Sequence, residues 1–137
     1  MSKASETLAI ARSYSEATNA GDWERLRRIL APNVRAKSHS ADHVSHGPEE
    51  IIAALQATTG SVSDTRIEVV NAVAGEDQAV LELVISGMSR DDPPKRVWLP
   101  TCHVYRVAGG QIISITTYSD RRWREGEPSL GGNGHGE

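Results

Sequence analysis

The sequence predicts an α+β fold in which three helices precede four antiparallel strands. Apolar residues recur at the spacing of an α-helix in three stretches of the first 60 residues and then alternate with period two from residue 65 to residue 120. Short turn-forming segments separate the alternating stretches, and connections of that length join antiparallel neighbours. Because helices and strands are segregated along the chain, we expect the helices to pack on one face of a curved sheet.

The first two helices follow each other almost without a break. The first is predicted over residues 5–19, and its spacing turns Tyr14 towards the middle of the buried side. Gly21 supplies the stop, and Asp22 is a natural N-cap for a second helix that begins at Trp23. We therefore expect two consecutive helices with Tyr14 and Trp23 turned inwards.

The third helix is predicted between Gly47 and Gly60. Pro48 and the two glutamates that follow it suit a helix N-terminus. Between Pro32 and Gly47 the helical period is lost, and serine, aspartate and histidine side chains compete for the backbone. We predict a polar loop in that interval.

Four segments combine period-two alternation with β-branched residues, and turn signals separate them. The predicted strands cover residues 65–74, 78–88, 96–107 and 111–120. The chain then becomes rich in glycine. We expect a single domain over residues 1–125 and a flexible tail over residues 126–137.

The charge balance argues against polyanionic partners. The chain has 15 Lys+Arg, 18 Asp+Glu and a net charge of -3, which gives no basic field for nucleic acid or anionic lipid. No apolar stretch approaches the roughly 20 residues that a membrane helix needs. Because Cys102 is the single cysteine and no leader is visible, we expect a cytoplasmic protein without a membrane partner.

Two residues on the last two strands are candidates for acid–base chemistry. A carboxylate at Asp120 drawn into an apolar interior would have its pKa raised into the range useful for proton transfer. The alternative is an ion pair between Asp120 and one of the arginines at positions 121, 122 and 124. His103 is either a catalytic imidazole or a core histidine with a satisfied partner.

Aromatic and histidine residues give further candidates. Phenylalanine is absent, and we assign Trp98, Tyr118 and Trp23 to substrate binding, with core packing as the alternative for Trp98. Three of the five histidines are concentrated between residues 39 and 46, but their spacing is not that of a zinc site. We therefore predict no metal.

The order of three local motifs resembles the nuclear transport factor 2-like superfamily, and within it the SnoaL-like polyketide cyclases. The motifs are Asn-x-Gly-Asp between two helices, His-Gly before the third helix, and a Gly-Gln-Ile hairpin that runs to a terminal Asp. They stand in YSEATNAGDWERLRRILAPNV, HGPEEIIAAL and VYRVAGGQIISITTYSD, and the likeness spans roughly residues 6–120. It implies a cone-shaped sheet wrapped around a helix, an apolar pocket and a homodimer.

The resemblance also implies roles for individual residues. Tyr14 matches the first-helix tyrosine that donates a hydrogen bond to the enolate in steroid isomerases. The isomerase base has no counterpart, because its position reads KSHS and offers Ser38 or His39, of which we choose His39 as the pocket acid or base. The isomerases' second oxyanion donor falls near His103. Asp120 stands where the SnoaL-like cyclases hold their acid–base aspartate.

Epoxide hydrolases of the limonene-epoxide-hydrolase type are matched only in part. Tyr118-Ser119-Asp120 resembles their Tyr-Phe-Asp ending, whereas their Arg-x-Asp pair is missing because residues 99–103 read LPTCH. The resemblance therefore implies a cyclase or isomerase that uses no cofactor and acts on an apolar, carbonyl-bearing small molecule. The alternatives are an epoxide hydrolase and a non-catalytic ligand-binding or dimerisation module.

Overall fold

The computed structural model describes residues 2–120 and 122–129. Three helices are present: α1 (Lys3–Ala20), α2 (Trp23–Ile29) and α3 (Gly47–Gly60). The strands of the described residues are β1 (Leu30–Ser38), β2 (His43–His46), β3 (Ser63–Ala74), β4 (Gln78–Met88), β5 (Arg96–Ala108), β6 (Gln111–Ser119) and β7 (Arg124–Glu125). The predicted α+β class is confirmed, and the four predicted strands correspond to β3, β4, β5 and β6. Residues 130–137 of the expected tail lie outside the described residues.

Local sequence signals determine the junction between α1 and α2. Gly21 adopts the left-handed conformation (φ 65°) that ends α1, and the Asp22 side chain accepts a hydrogen bond from the Arg25 amide at 3.1 Å. Asn19 attaches this junction to the sheet. Its side chain donates to the Ile67 carbonyl and accepts from the Ile67 amide, both at 2.7 Å. The end of α1 is therefore tied to the backbone of β3.

The strands form one open, curved sheet in the order β2-β1-β6-β5-β4-β3. The meander from β3 to β6 is antiparallel, as predicted. However, β1 runs parallel to β6, so the sheet is mixed and not wholly antiparallel. The short strand β7 pairs with the beginning of β5.

The interval predicted as a polar loop is mostly strand. β1 buries Val34, and its pairing with β6 is interrupted between Leu30 and Arg35, which accommodates Pro32. A short turn then leads into β2, at the edge of the sheet, where one exposed side tolerates polar residues. The prediction of a loop was wrong because β1 pairs with β6, far along the chain, and β2 pairs with β1 although both segments are polar.

The core lies between the helices and the inner face of the sheet. α1 packs against β3 to β6, and α3 packs against β1, β2 and β3. The largest side chains that are less than 2% exposed are Tyr105, Leu26, Leu30, Ile51, Leu81, Ile112, Ile115 and Val34. Burying an apolar side chain of this size stabilises the fold by about 1.5–3 kcal/mol. Within the described residues, none of the helices is both long and apolar enough to cross a membrane.

Candidate active site

A cavity of about 610 Å³ lies between α1, α3 and the inner face of the sheet. Tyr14 of α1, His103 of β5 and Asp120, just after β6, all line it. The structure thus brings three of the four candidate catalytic residues to one cavity, while His39 is not among the described residues that line it. A cavity of this volume suits a small-molecule ligand.

Tyr14 and His103 belong to a buried aromatic cluster that Tyr105 completes. The ring centroids of Tyr14 and His103 are 5.8 Å apart, and those of Tyr14 and Tyr105 are 5.6 Å apart, both edge-to-face. The Tyr105 hydroxyl lies 2.7 Å from Nδ1 of His103. The cluster packs α1 directly against β5.

Burial keeps the three side chains of this cluster uncharged near neutral pH. Desolvation lowers the pKa of His103 to about 4. Burial likewise raises the pKa of Tyr14, and that of Tyr105, above the ordinary value for a phenol. A neutral phenol and a neutral imidazole can each donate a hydrogen bond to an oxygen that becomes negative during a reaction.

Asp120 lies at the edge of the cavity and in an ion pair. Its side chain is 41% exposed, and Nε and Nη2 of Arg124 lie 2.7 Å and 2.5 Å from Oδ2 of Asp120. The guanidinium carbon of Arg124 lies 5.1 Å from the centroid of the Trp98 ring, over which it stacks. The carboxylate is therefore in the ion-paired arrangement that the sequence offered as the alternative to a desolvated acid.

The histidine segment is distributed over both faces of the sheet. His39 is exposed and stacks on Tyr118, with ring centroids 4.6 Å apart and ring planes 5° apart. His43 lines the cavity, and His46 immediately precedes α3. Within residues 2–120 and 122–129, no three His, Cys, Asp or Glu side chains are grouped so as to hold a metal ion.

The three aromatic residues assigned to substrate binding lie elsewhere than in the cavity wall. Trp98 and Tyr118 line a groove of about 620 Å³, hereafter the outer groove, which extends over the opposite face of the sheet and shares Thr101, Ser119 and Asp120 with the cavity. Trp23 packs against the core from α2. Trp123, which sequence reasoning did not select, does line the cavity. It follows the end of β6, where strand alternation no longer indicates a direction.

Hydroxyl groups make up much of the cavity wall on one side. They belong to Ser38, Ser40, Thr101, Thr117 and Ser119, on or beside β1, β5 and β6. Sequence reasoning missed this wall. A sequence signal was present for Thr101, which shares the strand parity of His103. The structure then pairs His103 with Thr117 and Thr101 with Ser119.

The opposite wall of the cavity is mainly apolar and comes from α3, β3 and β4. Its larger side chains are Ile51, Leu55, Ile67 and Ile85. The cavity thus has two unlike sides.

One polar atom in the lining is unusual, because Ser15 Oγ is buried and has no hydrogen-bond partner among the described residues.

The open curved sheet, the three helices and the cavity between them define a protein of the nuclear transport factor 2-like class. Within that class, residues 11–115 match the SnoaL-like domain, and the chain belongs to this family. A comparison with curated protein sequences finds no match.

Solved structures share the fold at low sequence identity. A protein of Kribbella flavida DSM 17836, provisionally named a ketosteroid isomerase, has a TM-score of 0.72 at 20% identity over 96% of this chain and 87% of that chain. An LEH-like epoxide hydrolase of M. tuberculosis has a TM-score of 0.73 at 17% identity over 88% of this chain and 82% of that chain. A protein of Jannaschia sp. CCS1, provisionally named a SnoaL-like polyketide cyclase, has a TM-score of 0.74 at 20% identity over 85% and 87% of the two chains. These likenesses concern the fold and not the activity.

Proposed function

We propose that the chain is an acid–base enzyme of the cyclase or isomerase type, which acts on a small carbonyl compound without a cofactor. One observation carries the proposal: two uncharged donors, Tyr14 and His103, line the same cavity as the carboxylate of Asp120. Uncharged donors aimed at a developing oxyanion, together with a carboxylate, are what proton abstraction next to a carbonyl requires.

The reaction begins at a carbon next to the carbonyl group. Asp120 takes a proton from that carbon, and the electron pair of the broken C–H bond moves into the carbonyl, whose oxygen becomes an enolate oxygen. Tyr14 and His103 donate hydrogen bonds to this oxygen. In an isomerisation, Asp120 then returns the proton to a different carbon. In a cyclisation, the enolate carbon attacks a second carbonyl of the same molecule, and the new alkoxide takes the proton back.

Asp120 is a better-supported base than His39, the other candidate. His39 stacks on Tyr118 and is not part of the described cavity wall, whereas Asp120 is.

One wall of the cavity carries hydroxyl groups and the other is apolar, which supports a substrate with one polar and one apolar edge. The hydroxyls of Thr101, Thr117 and Ser119 suit carbonyl or hydroxyl oxygens along one edge. The apolar side chains of Ile51 and Leu55 suit a hydrocarbon edge opposite. We therefore propose an oxygen-bearing small molecule that is apolar on one side, a narrower class than the largely apolar substrate expected from the sequence.

A ligand-binding module without chemistry is the second candidate. The observation that favours it is the ion pair of Asp120 with Arg124, which engages the carboxylate at the surface. Epoxide hydrolysis by paired acids has less support, because Asp120 is the one carboxylate among the described residues that line the cavity.

Deuterium exchange next to a carbonyl tests the proposal without knowledge of the natural substrate. The protein is incubated in D2O with β-tetralone, a ketone that has one polar and one apolar edge, and exchange is followed by proton NMR. We expect exchange above the buffer rate, a loss of about 100-fold or more in Asp120→Asn, and a loss of similar order in Tyr14→Phe.

Glu68→Gln is the matched control, because Glu68 is an exposed carboxylate on β3 that does not line the cavity. Its exchange rate should equal that of the wild type. Exchange at the buffer rate in a wild-type protein that binds the ketone would favour the binding module. Equal rates in the wild type and Asp120→Asn would remove Asp120 from the mechanism.

The homodimer expected from the resemblance stays a prediction. Val70 and Tyr118, which are 45% and 49% exposed, both line the outer groove. A second copy bound over this groove would remove these large apolar surfaces from water.

A further inference from the structure

Tyr105 lies outside the cavity wall, yet its hydroxyl contacts a residue within that wall. The side chain is 0% exposed, and strand alternation places it on the same face of β5 as His103, two residues away. Its hydroxyl oxygen is 2.7 Å from Nδ1 of His103, which is a short, direct hydrogen bond. The direction of that bond determines which nitrogen of the imidazole carries the proton.

Two arrangements of the protons fit this distance. In the first, the phenol donates to an unprotonated Nδ1, and the neutral imidazole of His103 carries its hydrogen on Nε2. In the second, Nδ1–H donates to the phenol oxygen, and the phenol hydrogen of Tyr105 needs another acceptor. Among the described residues, Nδ1 of His103 is the atom in hydrogen-bond geometry with that hydroxyl. Since a buried O–H without an acceptor is unfavourable, the first arrangement is preferred.

Ser15 is the neighbour that would change this balance. Burial raises the pKa of Tyr105, and the Ser15 hydroxyl, which approaches as a hydrogen-bond donor, lowers it. Nevertheless, Ser15 Oγ has no partner in hydrogen-bond geometry within the described part of the chain. Ser15 therefore faces Tyr105 as a donor that falls outside full hydrogen-bond geometry, and it does not accept the phenol hydrogen. If Ser15 did accept that hydrogen, the second arrangement would be satisfied as well.

We infer that Tyr105 is a positioning residue, whose hydroxyl donates to Nδ1 of His103 and thereby holds the imidazole as the Nε2–H tautomer. Nε2 is then the ring nitrogen left for a ligand, and it presents a hydrogen and not a lone pair. The opposite tautomer would turn a lone pair towards the same ligand oxygen and repel it. The role of this hydrogen in binding an oxyanion rests on the proposed function, whereas the tautomer itself does not.

NMR of the protein labelled with ¹⁵N-histidine measures the tautomer directly. At pH 7 we expect His103 of the wild type to show a protonated Nε2 and an unprotonated Nδ1 that accepts a hydrogen bond. A protonated Nδ1 would overturn the inference, whether or not any ketone undergoes exchange. Conversely, a protonated Nε2 in a protein that catalyses no exchange would leave the inference intact and count against the proposed function alone.

Two variants identify the group that holds the tautomer. In Tyr105→Phe the Nδ1 signal should move to that of a nitrogen without a hydrogen bond, and a population with hydrogen on Nδ1 should emerge. Ser15→Ala, the matched control, should leave the His103 spectrum unchanged. An unaltered spectrum in Tyr105→Phe, or a reversed tautomer in Ser15→Ala, would overturn the inference. If Tyr105→Phe does not fold, the wild-type and Ser15→Ala spectra still decide the question.

Discussion

The buried imidazole of His103 makes the stability of the fold depend on pH in a defined direction. Its pKa is lowered by desolvation from 6.5, the ordinary value for histidine, to about 4. Above about pH 6.5 the side chain is neutral in both the folded and the unfolded chain and has no effect. Below that pH the unfolded chain binds a proton that the folded protein does not. The free energy of unfolding therefore falls as the pH falls, until the pH passes below about 4.

The size of this effect follows from the displacement of the pKa. One pKa unit corresponds to about 1.4 kcal/mol, so the loss is about 2 kcal/mol between pH 7 and pH 5 and about 3 kcal/mol below pH 4. Solvent screening does not reduce it appreciably, because His103 is only 7% exposed. A loss of that size is a substantial part of the stability of a small domain.

Urea unfolding of the wild type and His103→Gln at pH 7, 6 and 5 measures the effect. Glutamine stays neutral throughout, and its amide can still bond the Tyr105 hydroxyl. The two proteins share every other titrating group, so the difference between their pH profiles isolates His103. We expect the variant to lose about 2 kcal/mol less than the wild type between pH 7 and pH 5. Parallel profiles, or an NMR titration midpoint of His103 near 6.5, would refute the reasoning.

Three further substitutions test the core, the sheet and the outer groove. Leu26 is 0% exposed, so Leu26→Ala should lower the free energy of unfolding by about 2–5 kcal/mol. An unchanged urea midpoint would contradict its place in the core. Gly87→Ala would place a methyl group 2.7 Å from both the Ser63 carbonyl oxygen and Cγ2 of Val62. It should therefore destabilise the fold by about 1–3 kcal/mol, and a stability equal to the wild type would show that β3 shifts freely. Tyr118→Asp should yield a folded monomer by light scattering if the outer groove is the dimer interface, whereas a monomeric wild type would exclude the dimer.

The helices were predictable because their signals act over a few residues. Gly21 and Asp22 end α1 and begin α2 through contacts with adjacent turns, so the sequence contains everything needed to place the junction. The same holds for the start of α3, where Pro48 occupies the first turn.

The strands were predictable where apolar alternation is sustained. β1 and β2 form a local antiparallel pair, but they were missed because the polar sequence of that segment shows no sustained alternation and β1 also depends on the distant strand β6. An irregularity between Arg106 and Val107 also shifts the register of β6, so that Ile112 and Ile115 are 0% and 1% exposed while Ile113 is 36% exposed. A strict period of two cannot reveal such a shift.

The residues of the candidate site also differ in how well their positions could be predicted from the sequence. Tyr14 and His103 sit inside regular elements, where helical spacing and strand alternation determine the direction of a side chain. His39 lies in the turn after β1, and its stacking on Tyr118 depends on how that turn meets β6. Asp120 lies one residue beyond β6, so its direction depends on Arg124 and not on strand parity.

The candidate donors and the candidate base are held in place by interactions of different strength. The donors are held by groups that are costly to move: Asn19 ties α1 to β3 by two hydrogen bonds, and Tyr105 packs against both Tyr14 and His103. The carboxylate is held only by a partly exposed ion pair, an interaction that contributes about 0–1 kcal/mol at a surface. On the proposed function, the part of the cavity that would bind the oxyanion is thus built into the core, whereas the carboxylate that would accept the proton is held by a weak interaction at its edge. Under that proposal, a fold arranged in this way would change its reaction through substitutions at the end of β6 while keeping its donors in place.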